Sequence, residues 1–341
     1  YMIVRRGAAP DLWNGFWDCI SWDGSDCVFD GAQGGDWYVG FYPYAFEYTG
    51  TTVALGVQFQ FSSCGTSGPT GPSDGACSTA YNQTANQGRV VTNNGIQAFT
   101  VPVNGTYEII TVGAQGASGQ AGRIGGRGAY IAGTFSLTAG QVLNLAVGQM
   151  GSGQNSGTDG GGGGGTFVVD NSGNPLIVAG GGGGTRVAAG SDGCNASTTI
   201  FATLGSGDFS TWGCPLKNSN VGLGGLLSSP WDYGAGGAGF FGNGADDNTS
   251  GITYGQGGRS WVNGLFGGVP LSGCGNPAPG GFGGGGAGNG CYGGGGGGGY
   301  SGGDGGWVAG GGGSYNSGGN QVAIAGSGTG HGSILIRWVG P

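Results

Sequence analysis

The stretch GGFGGGGAGNGCYGGGGGGGYSGG, Gly280 to Gly303, decides how this chain is read. It contains seven consecutive glycines, Gly293 to Gly299, held between Tyr292 and Tyr300. Glycine loses more backbone freedom on folding than any other residue, so such a run should resist order. A flexible Gly/Ser linker, however, lacks aromatic punctuation. Here Phe282, Tyr292, Tyr300 and Trp307 interrupt the tracts, and Cys291 lies inside one.

The same character recurs at Gly160–Gly165, Gly180–Gly184, Gly283–Gly286 and Gly310–Gly313. Glycine can adopt an extended helix of three residues per turn that has no internal hydrogen bonds. Several such helices side by side could satisfy one another's N–H and C=O groups, because no side chain separates them. The expectation is a folded bundle of polyglycine helices whose stability comes from backbone.

Composition permits this. Glycine supplies 94 of 341 residues, without a Gly-X-Y period and with only 12 prolines, which excludes collagen. Hydrophobic residues make up 37% and aromatics 11%, enough for a core, whereas Gly-rich disordered chains are poor in both. Charged residues are only 8%, against about 25% in an ordinary globular chain. With a net charge of −8 and Lys217 as the single lysine, the chain lacks the basic clusters that nucleic acid or anionic membrane surfaces require. No apolar stretch approaches the roughly 18 residues of a membrane span. The opening YMIVRRGAAP has neither an initiator Met nor a long apolar region, and reads as a mature or trimmed product.

The eight cysteines fall into neighbouring couples: Cys19/Cys27, Cys64/Cys77, Cys194/Cys214 and Cys274/Cys291. No C-x-x-C pair exists and His331 is the sole histidine, so no zinc signature fits. An even count points to disulfides in an oxidising, extracellular compartment. Eight cysteines allow on the order of a hundred pairings, so neighbour pairing is a preference and not a deduction. Each closed loop would add on the order of 3 kcal/mol. Four sequons, at Asn82, Asn104, Asn195 and Asn248, agree with secretion and with glycans that would solubilise a surface short of charge.

Residues 1–50 differ from residues 51–341. Twelve aromatics lie between Trp13 and Tyr48, among them Trp17, Trp22, Trp37, Tyr42 and Tyr44, together with Asp11, Asp18, Asp23, Asp26, Asp30 and Asp36. Two readings stand: a small disulfide-stapled β element folded on the body, or an assembly arm whose aromatics contact another subunit. The acidic spacing in DGSD is not that of a calcium loop.

From residue 51 onward short strands appear. VALGVQFQF (53–61), IQAFTV (96–101), TYEIITV (106–112), AYIAGTFSL (129–137) and VLNLAV (142–147) are separated by turn signals. TFVVDNSGNPLIVA (166–179) reads as a hairpin, and SILIRWV (333–339) as the last strand. Together they predict an all-β antiparallel sandwich. The last strand is expected more than 150 residues beyond the others, which makes the Gly-rich region an insertion anchored at both ends.

These blocks carry a resemblance. CGTSGPTGPSDGACSTAY (64–81), GIQAFTVPVNGTYEIITVGAQGASG (95–119), GGGGGGTFVVDNSGNPLIVAGGGGG (160–184), the opening stretch and GHGSILIRWV (330–339) run collinearly from Val57 to Val339. The order is similar to that of the glycine-rich ligand-binding domain of the receptors anaplastic lymphoma kinase and leukocyte tyrosine kinase. The resemblance implies a tumour-necrosis-factor-like β-sandwich carrying bundled polyglycine helices, with Cys64 paired to Cys77 and Cys274 to Cys291. Polyglycine bundles at the tips of some phage adhesins look like a related receptor-binding use. The aromatic segment at 1–50 has no recognised counterpart in that family, and the sequence itself holds neither the family's kinase nor its membrane span. The fold is carried over and the ligand is not.

Catalytic patterns are lacking. The many G-x-G-x-x-G matches follow from glycine abundance, and Lys217 has the wrong neighbours for a P-loop. A Ser/His/Asp triad would depend on His331, with no nucleophile elbow near it. Of the 17 acids only Glu47 and Glu108 are glutamates. The chain is expected to be no enzyme and to need no cofactor or metal. Two functions remain open: an extracellular structural subunit that self-associates into a homo-oligomer, filament or coat, or a receptor-like or adhesin module recognising a protein or glycan through its polyglycine face.

Overall fold

The computed structural model describes residues 2–6, 19–21, 37–41, 58–118, 122–153, 159–186, 191–206, 213–228, 233–249, 252–271, 278–288 and 293–340. In the N-terminal segment, β1 (Met2–Arg6), β2 (Cys19–Ser21) and β3 (Trp37–Phe41) form an antiparallel sheet in the order β2-β1-β3.

The body follows with β4 (Gln58–Phe61), α1 (Asp74–Ala80), β5 (Val90–Asn93), β6 (Ile96–Thr100), β7 (Gly105–Val112), β8 (Gly128–Leu137) and β9 (Val142–Ala146). Then come β10 (Thr166–Asp170), β11 (Pro175–Ala179), β12 (Asp247–Thr249), β13 (Ile252–Gly255), β14 (Tyr315–Asn316), β15 (Gly319–Gly328) and β16 (Ser333–Gly340). Two antiparallel sheets dominate, one in the order β15-β8-β7-β16-β4 and the other β14-β11-β10-β9-β6-β5.

Period-two alternation explains how they meet. Phe59, Phe61, Tyr107, Ile109, Ile131, Ile334 and Ile336 of the first sheet share one buried cluster with Phe99, Leu143, Leu145, Val168 and Ile177 of the second. Fully burying each such side chain is worth about 1.5–3 kcal/mol. The second sheet is covered on its other face too. Phe167, Val169 and Val178 point there and pack with Phe240, Leu265 and Phe282 from the Gly-rich region. That double burial is why Phe167, Val168 and Val169 in the middle of β10 are apolar in succession and do not alternate.

The β10–β11 hairpin turns on Asp170, whose Oδ1 accepts from the N–H groups of Ser172 and Asn174, each at 2.8 Å. The return strand β16 lies between β7 and the edge strand β4, antiparallel to both.

One expectation needs correcting. β16 does not stand alone beyond a strandless insertion: β12, β13, β14 and β15 lie between it and the earlier strands. A short helix, α1, is also present. Ser73 caps it by accepting from the Ala76 N–H at 3.2 Å, and its Cys77 is buried and bonded to Cys64. Residues 51–57, the first part of the expected strand at 53–61, lie outside the described residues.

Candidate functional site

The Gly tracts emerge from strand ends: Gly160–Gly165 enters β10, Gly180–Gly184 leaves β11, and Gly310–Gly313 precedes β14. Gly293–Gly299, buried throughout, runs among them. Its hydrogen bonds repeat every three residues. Gly295 donates to Gly160 O and Gly298 to Gly163 O, both at 2.9 Å. Gly296 and Gly299 donate to Ala235 O and Ala238 O, at 2.9 and 3.1 Å. Gly297 and Tyr300 donate to Gly310 O and Gly313 O, at 2.9 and 2.8 Å. Each step of three along the tract is thus a step of three along a parallel neighbour.

Carbonyls of the tract are bonded as well. Gly295 O and Gly298 O accept from Gly184 and Gly181, Gly296 O from Gly286, and Gly297 O from Gly303. Three segments therefore accept from the tract and three others donate to it. Buried backbone groups that would otherwise cost free energy are paired here without a sheet ladder.

Close approach makes glycine necessary. A Cβ at Gly296 would overlap the Gly303 carbonyl oxygen, and one at Gly298 the Gly283 oxygen. Each overlap is with backbone, which cannot swing aside as a side-chain tip can.

Side chains enter where the bundle meets the sheet. Phe240 stacks with Trp261 at 5.8 Å and with Tyr300 at 6.4 Å, and Tyr300 stacks on Tyr315 of β14 at 4.7 Å. Offset aromatic pairs of this kind add about 0.5–1.5 kcal/mol beyond area burial. The aromatic punctuation thus anchors the bundle at its edge.

Lys217, the sole lysine, is buried and pairs with Asp304 at 2.5 Å. Asp304 also accepts from the Leu226 N–H at 2.7 Å. Burial holds its carboxyl above the usual range, and the Lys217 ammonium only partly offsets this. The pair fastens the loop after Cys214 to the bundle. His331 lies just before β16; its Nδ1 accepts from the Met150 N–H at 3.0 Å, and burial depresses its pKa.

The residues singled out by sequence are distributed as follows. Cys64–Cys77 and Cys194–Cys214 are disulfides. Cys274 and Cys291 lie outside the described residues, as do Trp13, Trp17, Trp22, Cys27, Tyr42 and Tyr44. Cys19 and Trp37 fall on β2 and β3, with only their backbone described. The four sequon asparagines are all exposed. Two of them use Oδ1 on backbone: Asn104 accepts from the Ala139 N–H and Asn195 from the Arg127 N–H, both at 2.8 Å. Those contacts leave the Nδ2 that a glycan would occupy uncommitted to the same bond.

An open groove of about 610 Å³ lies beside Asn195, bounded by Asp192, Thr199, Leu216 and Ala325. Among the described residues that line it, Asp192 alone is charged. Among the described residues no group of three His, Cys, Asp or Glu side chains is placed to hold a metal, and no helix is long and apolar enough to cross a membrane.

One element carries no strand signal in its sequence. β15 is an edge strand of ten residues, GNQVAIAGSG, without a charge, and almost all of it is exposed. Its glycines at both ends hide the strand pattern. No protein-family model matches the chain.

Proposed function

We propose that this chain is an extracellular structural subunit in which packed polyglycine helices form a rigid block on a tumour-necrosis-factor-like sandwich. The three-residue hydrogen-bond period of Gly295–Tyr300, with parallel acceptors on three sides, carries the reading. Three residues per turn is the repeat of the extended glycine helix. A bundle built this way is lined mainly by backbone, with the buried Lys217 and Asp304 paired to each other, which suits a scaffold more than a catalyst. Two disulfides support an oxidising compartment. The resemblance to the glycine-rich receptor domains supports the sandwich and the bundle, and the aromatic residues at 1–50, including Trp13, Trp17 and Trp22, supply an arm for contacts with another copy.

Sedimentation velocity and negative-stain micrographs of the full chain test the assembly reading. Concentration-dependent polymers or ordered oligomers are expected. A chain that remains monomeric at high concentration contradicts it. The second reading, a module that binds protein or glycan, draws on the exposed apolar residues Phe241, Val262 and Phe266, which lie in the segments around Trp261. A monomer that captures a ligand through these residues would favour it.

A further inference from the structure

We propose that His331 is an acid-released latch at the junction of the sandwich and the Gly-tract bundle. Neutral, it holds the turn between β15 and β16 to the segment after β9; protonated, it lets go. The latch does not depend on whether the chain assembles. The turn at 329–332 is bonded from two sides. Gln115 donates its N–H to Gly330 O at 2.9 Å, and Gly330 donates to Gln115 Oε1 at 3.2 Å. Gly332 donates to Gly148 O at 2.8 Å, and Met150 donates to His331 Nδ1 at 3.0 Å. The same segments also hold the bundle: Gly164 donates to Gln149 O, Gly161 to Ser152 O, and Ala117 to Gly161 O. The turn therefore closes over the place where sheet gives way to Gly tract.

A backbone N–H can only donate, so Nδ1 must present a lone pair, and the proton of the neutral ring sits on Nε2. The other bonds of the turn use amide and carbonyl groups, which mild acid leaves unchanged. His331 alone among them titrates near neutrality. Its protonation sets an N–H on Nδ1 against the N–H of Met150, and an attraction becomes a repulsion. Nothing nearby holds the imidazolium in place. The segments that meet it, 113–118, 148–153 and 328–333, carry no charged or titratable side chain besides His331, nor do Thr66 and Phe282, which bond Gln149. Partial burial, with no neighbouring charge, lowers its pKa from the ordinary 6.5. A base whose pKa falls on folding contributes stability that is complete above the unfolded pKa. That stability is lost as the pH drops through this value toward the folded one. The residue is partly exposed, so protons reach it without unfolding.

The test uses the full chain. As the single histidine, His331 gives one titrating imidazole signal by NMR. Exchange of the Met150 amide, corrected for its intrinsic pH dependence, reports the bond. From about pH 7.5 to about pH 5, Met150 should lose at least about tenfold in protection, in step with the imidazole titration, while β7 amides keep theirs. His331→Asn supplies an acceptor that acid does not protonate, and should make Met150 protection equal at both pH values. Met150 protection that ignores the wild-type titration overturns the latch, as does the same acid loss in His331→Asn. If His331→Asn does not fold, the wild-type comparison alone decides.

Discussion

Gly296 lies against Gly303 so closely that a single methyl group on the first would overlap the carbonyl oxygen of the second. That relationship separates a packed tract from a linker. Gly296→Val should destabilise the domain by about 3 kcal/mol or more, at or above the upper end for overpacking, because the obstacle is backbone. Thermal unfolding measures it. A melting temperature equal to wild type would mean the tract does not pack as described.

The Lys217–Asp304 pair makes a different prediction. Lys217→Met leaves a buried carboxylate without its cation and should cost about 3–5 kcal/mol in denaturant unfolding. Lys217→Met with Asp304→Leu should recover most of that loss, since neither charge is then desolvated. The sign with pH follows from burial, which raises the Asp304 pKa in the folded state above its ordinary value of 3.8. A raised carboxyl favours folding when protonated, so the single-variant penalty should shrink as the pH falls and grow as it rises through the folded pKa. A penalty independent of pH would remove Asp304 from the explanation.

Asp170 behaves in the opposite sense. Burial pushes its carboxyl up, but hydrogen bonds from the Asn174 side chain and from turn N–H groups together outweigh this and hold it below the usual range. A depressed carboxyl adds stability above its unfolded pKa and loses it as the pH falls through the folded one. Asp170→Ala should therefore cost about 1 kcal/mol at neutral pH, and the difference from wild type should vanish in strong acid.

The Cys64–Cys77 disulfide ties α1 to the loop after β4, with a sequence separation of 13 residues. Replacing both cysteines with serine should lower stability by about 3 kcal/mol, through a freer unfolded chain. Equal stability of the variant and the oxidised wild type would contradict this.

Much of the sandwich was legible because its strands alternate. Thr106–Val112 reads as a strand, and β7 spans Gly105–Val112; the Asn171–Pro175 turn joins β10 to β11. The Gly region was legible as ordered through its aromatics, since Tyr300 and Phe282 pack where punctuation suggested. Other features depend on long-range partners that no local pattern records. Lys217 meets Asp304 across 87 residues, and α1 owes its place to a cap and a disulfide more than to an apolar period. β15 escaped because Gly319, Gly326 and Gly328 obscure its alternation, and because exposure on both faces leaves no buried side to read.

Amide hydrogen exchange of the Gly293–Gly299 segment tests the central claim most directly, since it reports whether these backbone groups are bonded and buried. The account predicts protection comparable to that of the core strands β7 and β16, with exchange requiring global unfolding. Exchange of these seven amides at the rate of an unstructured peptide would contradict it.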